Sequence, residues 1–458
     1  MALHVPERTW ALPAHSVDLD RYQSNSTSDD ESKKESYSII ERYTTSDSID
    51  VPPMDGGFHA WMFLLASAML EALVWGYAFA FGVFQEYYSA TPPFKGSENI
   101  AVIGTCAMGL AYMLAPFAIV FMILVPRFAR WVSTVGVILM CLSLAISSFA
   151  TNVTHLMLTQ GIGFGVGGCL AYTPSILYMS EWFCKRKGLA FGVVWAGSAI
   201  SGSVFPITIE WLLNKYGVES TLRVSSVALC LLAAPFLYFH HPRLPPAKTA
   251  SHERLNFRFL VSKVHLVYQL GNTIEALGFF LPTIYLPMCA RSLGASKFLS
   301  SFTVTLFNLA AVFSNVLIGF LSDRYHVTIC ILISTVGTVL SVFFLWGFST
   351  SLPILYVFCA FYGLMADGYS STWAGITHEI QLANPGSDPA VIFPFMELGR
   401  GIGNVASGPL SEALLKAPML RGKAGGLYGS EYGSLVVCTG ATALVGGISV
   451  IFRWLKWI

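Results

Sequence analysis

The run from Val391 to Leu415, VIFPFMELGRGIGNVASGPLSEALL, has the length of a membrane span yet carries two opposite charges, Glu397 and Arg400. At about 1.5 Å rise per residue, Arg400 lies about 14 Å along it, near the middle of a hydrocarbon core about 30 Å thick. A charge at that depth costs about 2.5–3.5 kcal/mol on insertion scales, so it must face a partner or a wet passage. Glu397 and Arg400 are three residues apart and share a helix face. Three further acids sit in apolar surroundings: Glu71, Glu275 and Asp367. A carboxyl in a dry site favours its neutral form, and a nearby arginine reverses that preference. The chemistry these residues suit is anion binding by Arg400, with Glu397 pairing it in the empty site. Glu71 and Glu275 would carry protons, with Asp367 as a third carrier nearer the end of its span. The bland alternative is a permanent Glu397–Arg400 pair that only lets the span insert. Trp75, Tyr77, Tyr285 and Trp373 are the aromatics that would line a wide cavity around these charges.

Positioning such groups requires a bundle in oil, and the composition supplies one. Of 458 residues, 54% are hydrophobic and 12% charged, about half the charge of a soluble chain. The net charge of +1 argues against a nucleic-acid partner. Nine cysteines are scattered with no C-x-x-C pair, so no zinc site, metal or cofactor is expected. Apolar runs recur near 61–87, 100–125, 131–149, 156–180, 188–213, 221–239, 264–288, 298–321, 327–348, 353–377, 391–415 and 434–453. The fold class expected is an all-α membrane protein of twelve helices in two six-helix halves. Residues 1–54, rich in Ser, Asp, Glu and Lys, read as a disordered tail. Residues 55–239 form the first half, 240–263 a linker and 264–458 the second half. Leu70-Glu71-Ala72-Leu73 and Ile274-Glu275-Ala276-Leu277 echo one another in corresponding spans, as parallel repeats would.

With the N-terminus inside, 18 Lys and Arg fall on inner segments and 8 on outer ones, which favours both termini in the cytoplasm. Lys185, Arg186 and Lys187 close the fourth span on that side, and Asp323 and Arg324 close the eighth. These short charged loops read as gating latches or, more plainly, as topology anchors. Gly163-x-Gly165-x-x-Gly168 lies inside a span and not after a strand, so it reads as helix packing rather than a dinucleotide site. No G-x-x-x-x-G-K-[ST] motif exists, which argues against ATP as the energy source. Asn152-Val153-Thr154 is a sequon on the outer side.

DGGFHAW (Asp55 to Trp61), FGVFQEYY (Phe81 to Tyr88), EWFCKRKGLAFGVVWAGS (Glu181 to Ser198), GFLSDR (Gly319 to Arg324) and ELGRGIGNVASGPLS (Glu397 to Ser411) together resemble the fungal branch of the monocarboxylate-transporter-like proteins. This is a group within the major facilitator superfamily. The resemblance implies two six-helix halves, alternating access and, often, proton coupling. It also covers carriers associated with secondary-metabolite clusters, which export the product. Characterised animal members use a lysine in the first span and an aspartate–arginine pair in the eighth. Here no lysine occurs between Trp61 and Tyr88, and Ala311 and Asn315 align with the pair. That argues against lactate–proton symport by the animal mechanism.

The function expected is therefore secondary active transport of a small organic acid or an acidic or amphipathic metabolite, exported and proton-coupled, across the cell membrane. The vacuolar membrane is the other candidate location. Proton-coupled monocarboxylate uptake is the alternative, and a non-transporting membrane sensor is the alternative of another class. Partners are the substrate, protons and lipid. An enzyme is not expected, for no nucleophile–base cluster is present.

Overall fold

A computed structural model describes residues 53, 55–95, 97, 100–243, 256–416 and 421–457. The expected tail, apart from Pro53, and residues 244–255 of the expected linker lie outside the described residues. Every regular element among the described residues is a helix. We label the spans α1 (Gly57–Phe79), α2 (Ile100–Leu124), α3 (Val132–Ser147), α4 (Val153–Trp182), α5 (187–216) and α6 (218–239). The second half holds α7 (Lys263–Ser292), α8 (Lys297–Arg324), α9 (Val327–Trp346), α10 (Leu352–Ala383), α11 (Pro389–Lys416) and α12 (Gly433–Trp454).

Nine helices among the described residues are long and apolar enough to cross a membrane. One of these is Lys187–Phe239, which contains both α5 and α6. Where the sequence suggests a loop near 214–220, a single residue, Gly217 at φ 75°, breaks the helix. An L side chain rarely adopts that backbone region, and glycine does so freely. The sixteen-residue α3 is short, and α11 is diluted by its charges and glycines, so neither is among the nine. Outward faces are apolar, as at Phe117, Ile138, Leu142 and Leu231, which suits lipid contact.

The halves meet along two seams, α5 against α8 and α2 against α11. Small residues set the first. A Cβ at Gly192 would stand 2.4 Å from the Asn315 carbonyl oxygen, so the two backbones touch there. The glycines of the Gly163–Gly168 run likewise lie against Ser143, Ala107 and Val74 of neighbouring helices.

We call the end bearing Lys185–Lys187 the basic end. There the last turn of α4 is clasped to the chain leaving α6. His240 is buried between the Ser133 hydroxyl at 3.0 Å and the Ser175 hydroxyl at 2.8 Å, and it stacks on Phe63. The Trp182 indole donates to the His241 carbonyl, and Glu181 accepts from the Arg243 amide. Burial, and secondarily His241, pushes the His240 imidazole down to about 3. An unfolded histidine, with a pKa of about 6.5, takes up a proton that the folded one refuses. The stabilising contribution of neutral His240 is thus complete above that value and is lost as pH falls toward 3. Thermal unfolding of purified protein should lose stability more steeply on acidification than His240→Asn does, by up to about 1.4 kcal/mol per pH unit. Equal slopes would contradict this.

Candidate functional site

The ionisable residues of the spans converge where the halves meet. From α7, Glu275 Oε2 lies 2.8 Å from Arg400 Nη1 on α11. Glu275 is 7% exposed and Arg400 2%. The guanidinium is 4.2 Å from the centroid of Phe279, 5.5 Å from Phe280 and 5.8 Å from Trp373. The delocalised cation thus exchanges water for aromatic faces and one carboxylate, the environment an arginine tolerates best. Tyr112 of α2 and Asp367 of α10 lie within electrostatic reach of it.

The partner of Arg400 is therefore not the one expected. Glu397 shares its helix face, yet Glu397 reaches across to the first half, where Tyr172 of α4 donates to its Oε2 at 3.2 Å. Its other oxygen, Oε1, is buried without a partner. Glu71 of α1 accepts the Trp75 indole N–H at 2.9 Å, and the Trp75 ring packs 4.3 Å from Tyr112 and 6.0 Å from Tyr172. The first half thus presents an aromatic wall and one acid. Opposite it stands the pair of Glu275 and Arg400, with Glu397 between the two.

Asp367 is closer to this centre than its place in the sequence suggests. Its helix runs on to Ala383, and residues Asp367–Thr372 tighten into a 3-10 segment in mid-span. Asp367 accepts from the Asn315 carboxamide, whose oxygen in turn accepts from Ser371 at 2.9 Å. Asn315 of α8 thus holds the acid of a neighbouring helix. Trp373 donates to Asn272 at 3.1 Å and meets Trp195 of α5 edge-on at 5.7 Å. Phe191 and Phe393 stack at 4.5 Å beside it. These four rings cross the seam between the charges and the basic end.

Two expected residues stand apart. Tyr77 belongs to the interior of the first half, bonded to Gln160, which also accepts from Tyr88. Expected to line the cavity, Tyr77 here joins α1 to α4 through Gln160. Tyr285 lies toward the opposite end, donating to Ser411 at 3.0 Å. At the basic end, Asp323 accepts from the Gly188 and Leu189 amides at 2.7 and 2.8 Å, so an acid of α8 covers the N-terminus of α5 in the other half. A carboxylate there is favoured by the aligned peptide dipoles. Lys187 donates to Ser180, the Lys185 and Arg186 amides donate to Asp55, and Arg324 lies over Phe320. At the opposite end Arg291 and Glu86 pair across the halves at 3.1 Å.

Tyr112, Tyr172 and Asn272 were not singled out from sequence, and Asn315 was named only for the charge it lacks. Asn272 had a signal: it lies one turn before Glu275 on the same face. The two tyrosines had none that distinguished them from other aromatics.

This arrangement, a charged seam between two six-helix halves, has counterparts. The chain matches the family model described as Major Facilitator Superfamily over residues 60–270 and again over 268–455. The chain belongs to the major facilitator superfamily. Similar proteins include the MFS transporter asaE of Aspergillus flavus, 27% identical over 90% of this chain and 91% of its own length. The aspyridones efflux protein apdF of Emericella nidulans is 26% identical over 87% of this chain and 78% of its own. The agnestins efflux protein AgnL12 of Paecilomyces divaricatus is 25% identical over 86% of this chain and 87% of its own. As a major facilitator, the chain is a multi-pass membrane transporter of small molecules and not an enzyme.

Proposed function

We propose that this transporter exports an acidic or amphipathic metabolite by alternating access, coupled to proton entry. The observation that carries the reading is the Arg400–Glu275 pair, buried at the seam among three aromatic faces. Glu275 acts as an internal stand-in for the substrate anion. When the seam opens, an acid group on the substrate displaces it from the guanidinium, and conjugated or apolar parts of the substrate lie against Trp75 and Trp373. Glu397, with one neutral donor and no cation on it, carries the coupling proton. An ionised carboxylate buried that way would cost several kcal/mol. Glu71, Glu275 and Asp367 share the seam and relay or balance that charge.

The basic end faces the cytoplasm of the cell membrane, as the distribution of Lys and Arg favours. Residues 1–54 are a cytoplasmic tail and 240–263 the linker between halves. Asp323 latches the basic end shut, with Lys185, Arg186, Lys187 and Arg324 around it. Asp323→Ala removes charge-assisted bonds to two amides, so the state open at the basic end should gain about tenfold in population. Maleimide labelling of a cysteine placed at Phe393, followed by mass spectrometry, should accelerate accordingly; an unchanged rate would remove the latch.

Direction and coupling are tested in inside-out membrane vesicles given an extract of acidic fungal metabolites. An acid lumen should drive accumulation that a protonophore collapses. Accumulation driven instead by an acid medium would mean uptake by symport.

A further inference from the structure

The polar face of α11 continues beyond Arg400. Glu397, Arg400, Asn404, Ser407 and Ser411 follow one another at spacings of three and four, and all are buried. The contacts of α11 fix where this stripe points. Gly401 and Val405 lie against α2, at Tyr112 and Gly109, while Gly399 and Gly403 lie against α7, at Thr273. At about 100° per residue, the stripe falls roughly midway between those two faces. Ile402, on the opposite side of the helix, is 46% exposed. The stripe therefore faces the seam between the halves, where Arg400 meets Glu275 and Glu397 meets Tyr172.

Asn404 is the residue of this stripe that the binding of an acid group leaves unexplained. It is 4% exposed, and its carboxamide nitrogen has no hydrogen-bond partner. Its serine neighbours do not compete for that donor. Ser407 bonds back to the Asn404 backbone carbonyl, and Ser411 is engaged with Tyr285 and the Gly408 carbonyl. A buried N–H donor left without an acceptor is costly, and sites that bind oxygenated ligands keep such donors for them. Asn404 lies about 6 Å from Arg400 along the helix axis, toward the end away from the basic one.

Resting on the anion-binding role proposed for Arg400, we infer that Asn404 is a specificity-determining residue. It donates to a second oxygen of the substrate, one helical turn from the acid group. The substrate class is thereby narrowed to organic acids that carry a carbonyl, ether or hydroxyl oxygen at that distance. A plain hydrocarbon acid would leave the donor unpaired.

The test measures binding of two probes to the full chain in lipid nanodiscs by titration calorimetry. The probes are 4-acetylbenzoate, which has the second acceptor, and 4-isopropenylbenzoate, which has the same shape without it. The wild type should favour the acetyl acid by about 2- to 13-fold, the range one neutral hydrogen bond supplies. Asn404→Leu should bring the ratio to about one while keeping affinity for the isopropenyl acid, and Asn404→Asp should disfavour the acetyl acid further. A ratio that Asn404→Leu leaves unchanged, with both affinities lost in Arg400→Gln, overturns the Asn404 assignment alone. Binding of both acids that survives Arg400→Gln, or no binding by the wild type, overturns the anion site as well.

Discussion

Arg400→Gln should abolish saturable transport of acidic substrates, by about 100-fold or more, while the protein still folds and reaches the membrane. The size follows from removing one partner of a buried, hydrogen-bonded charge pair, typically about 2–5 kcal/mol. The fold survives because the two partners are not equivalent. Left without Arg400, Glu275 can take a proton and become neutral. Left without Glu275, Arg400 cannot lose its charge, because a guanidinium stays protonated in proteins. Glu275→Gln should therefore destabilise the protein by about 3–5 kcal/mol, the cost of an uncompensated buried charge. Transport kinetics and thermal unfolding of the two variants check both halves of this statement. Normal transport by Arg400→Gln would reduce the pair to a device for membrane insertion. Equal stability of the two variants would contradict the asymmetry.

Glu397→Gln should separate exchange from driven transport. Glutamine keeps the shape and can still accept from Tyr172 but cannot bind and release a proton. Substrate counterflow at equal pH on both sides should persist within about threefold of wild type, while accumulation driven by a pH gradient should fall to background. The contrast with Arg400→Gln is diagnostic, since that variant should lose both activities. Gradient-driven accumulation by Glu397→Gln at the wild-type level would move the coupling proton to another acid, with Glu71 next in place across the seam.

Much of the architecture was legible in the sequence because oil imposes a strong constraint. A chain crossing hydrocarbon must satisfy its backbone internally, so each span announces itself as a long apolar run. The boundaries were less legible. The tenth span, expected over 353–377, runs on to Ala383, and the polar Asp367–Thr372 run is a tightened turn in its middle. The earlier expected end misplaced Asp367 toward the membrane surface.

The site was legible in its ionisable members and not in their pairing. Glu275 and Arg400 were both named, but adjacency along a helix favoured Glu397 as the partner. The actual partner lies 125 residues away, brought in by α7 against α11. Local spacing cannot rank a neighbour on the same helix against a neighbour on another. Tyr77 shows the same limit in reverse. An aromatic near Trp75 on α1 faces the interior of its own half, because Gln160 of α4 offers its polar tip a partner. Asn404 had a visible signal in the spacing of three and four that runs from Glu397 to Ser411, but its meaning depended on knowing which helices flank it.

The central claim is that the seam between the halves parts at the basic end to bring an anion to Arg400. It is tested most directly by tying that end shut. Phe191 and Phe393 stack across the seam at 4.5 Å, so the Phe191→Cys/Phe393→Cys variant can be bridged by a short bifunctional thiol reagent. Transport of an acidic metabolite should stop on cross-linking and return when a cleavable bridge is reduced, whereas undiminished transport through the bridged protein would contradict the claim.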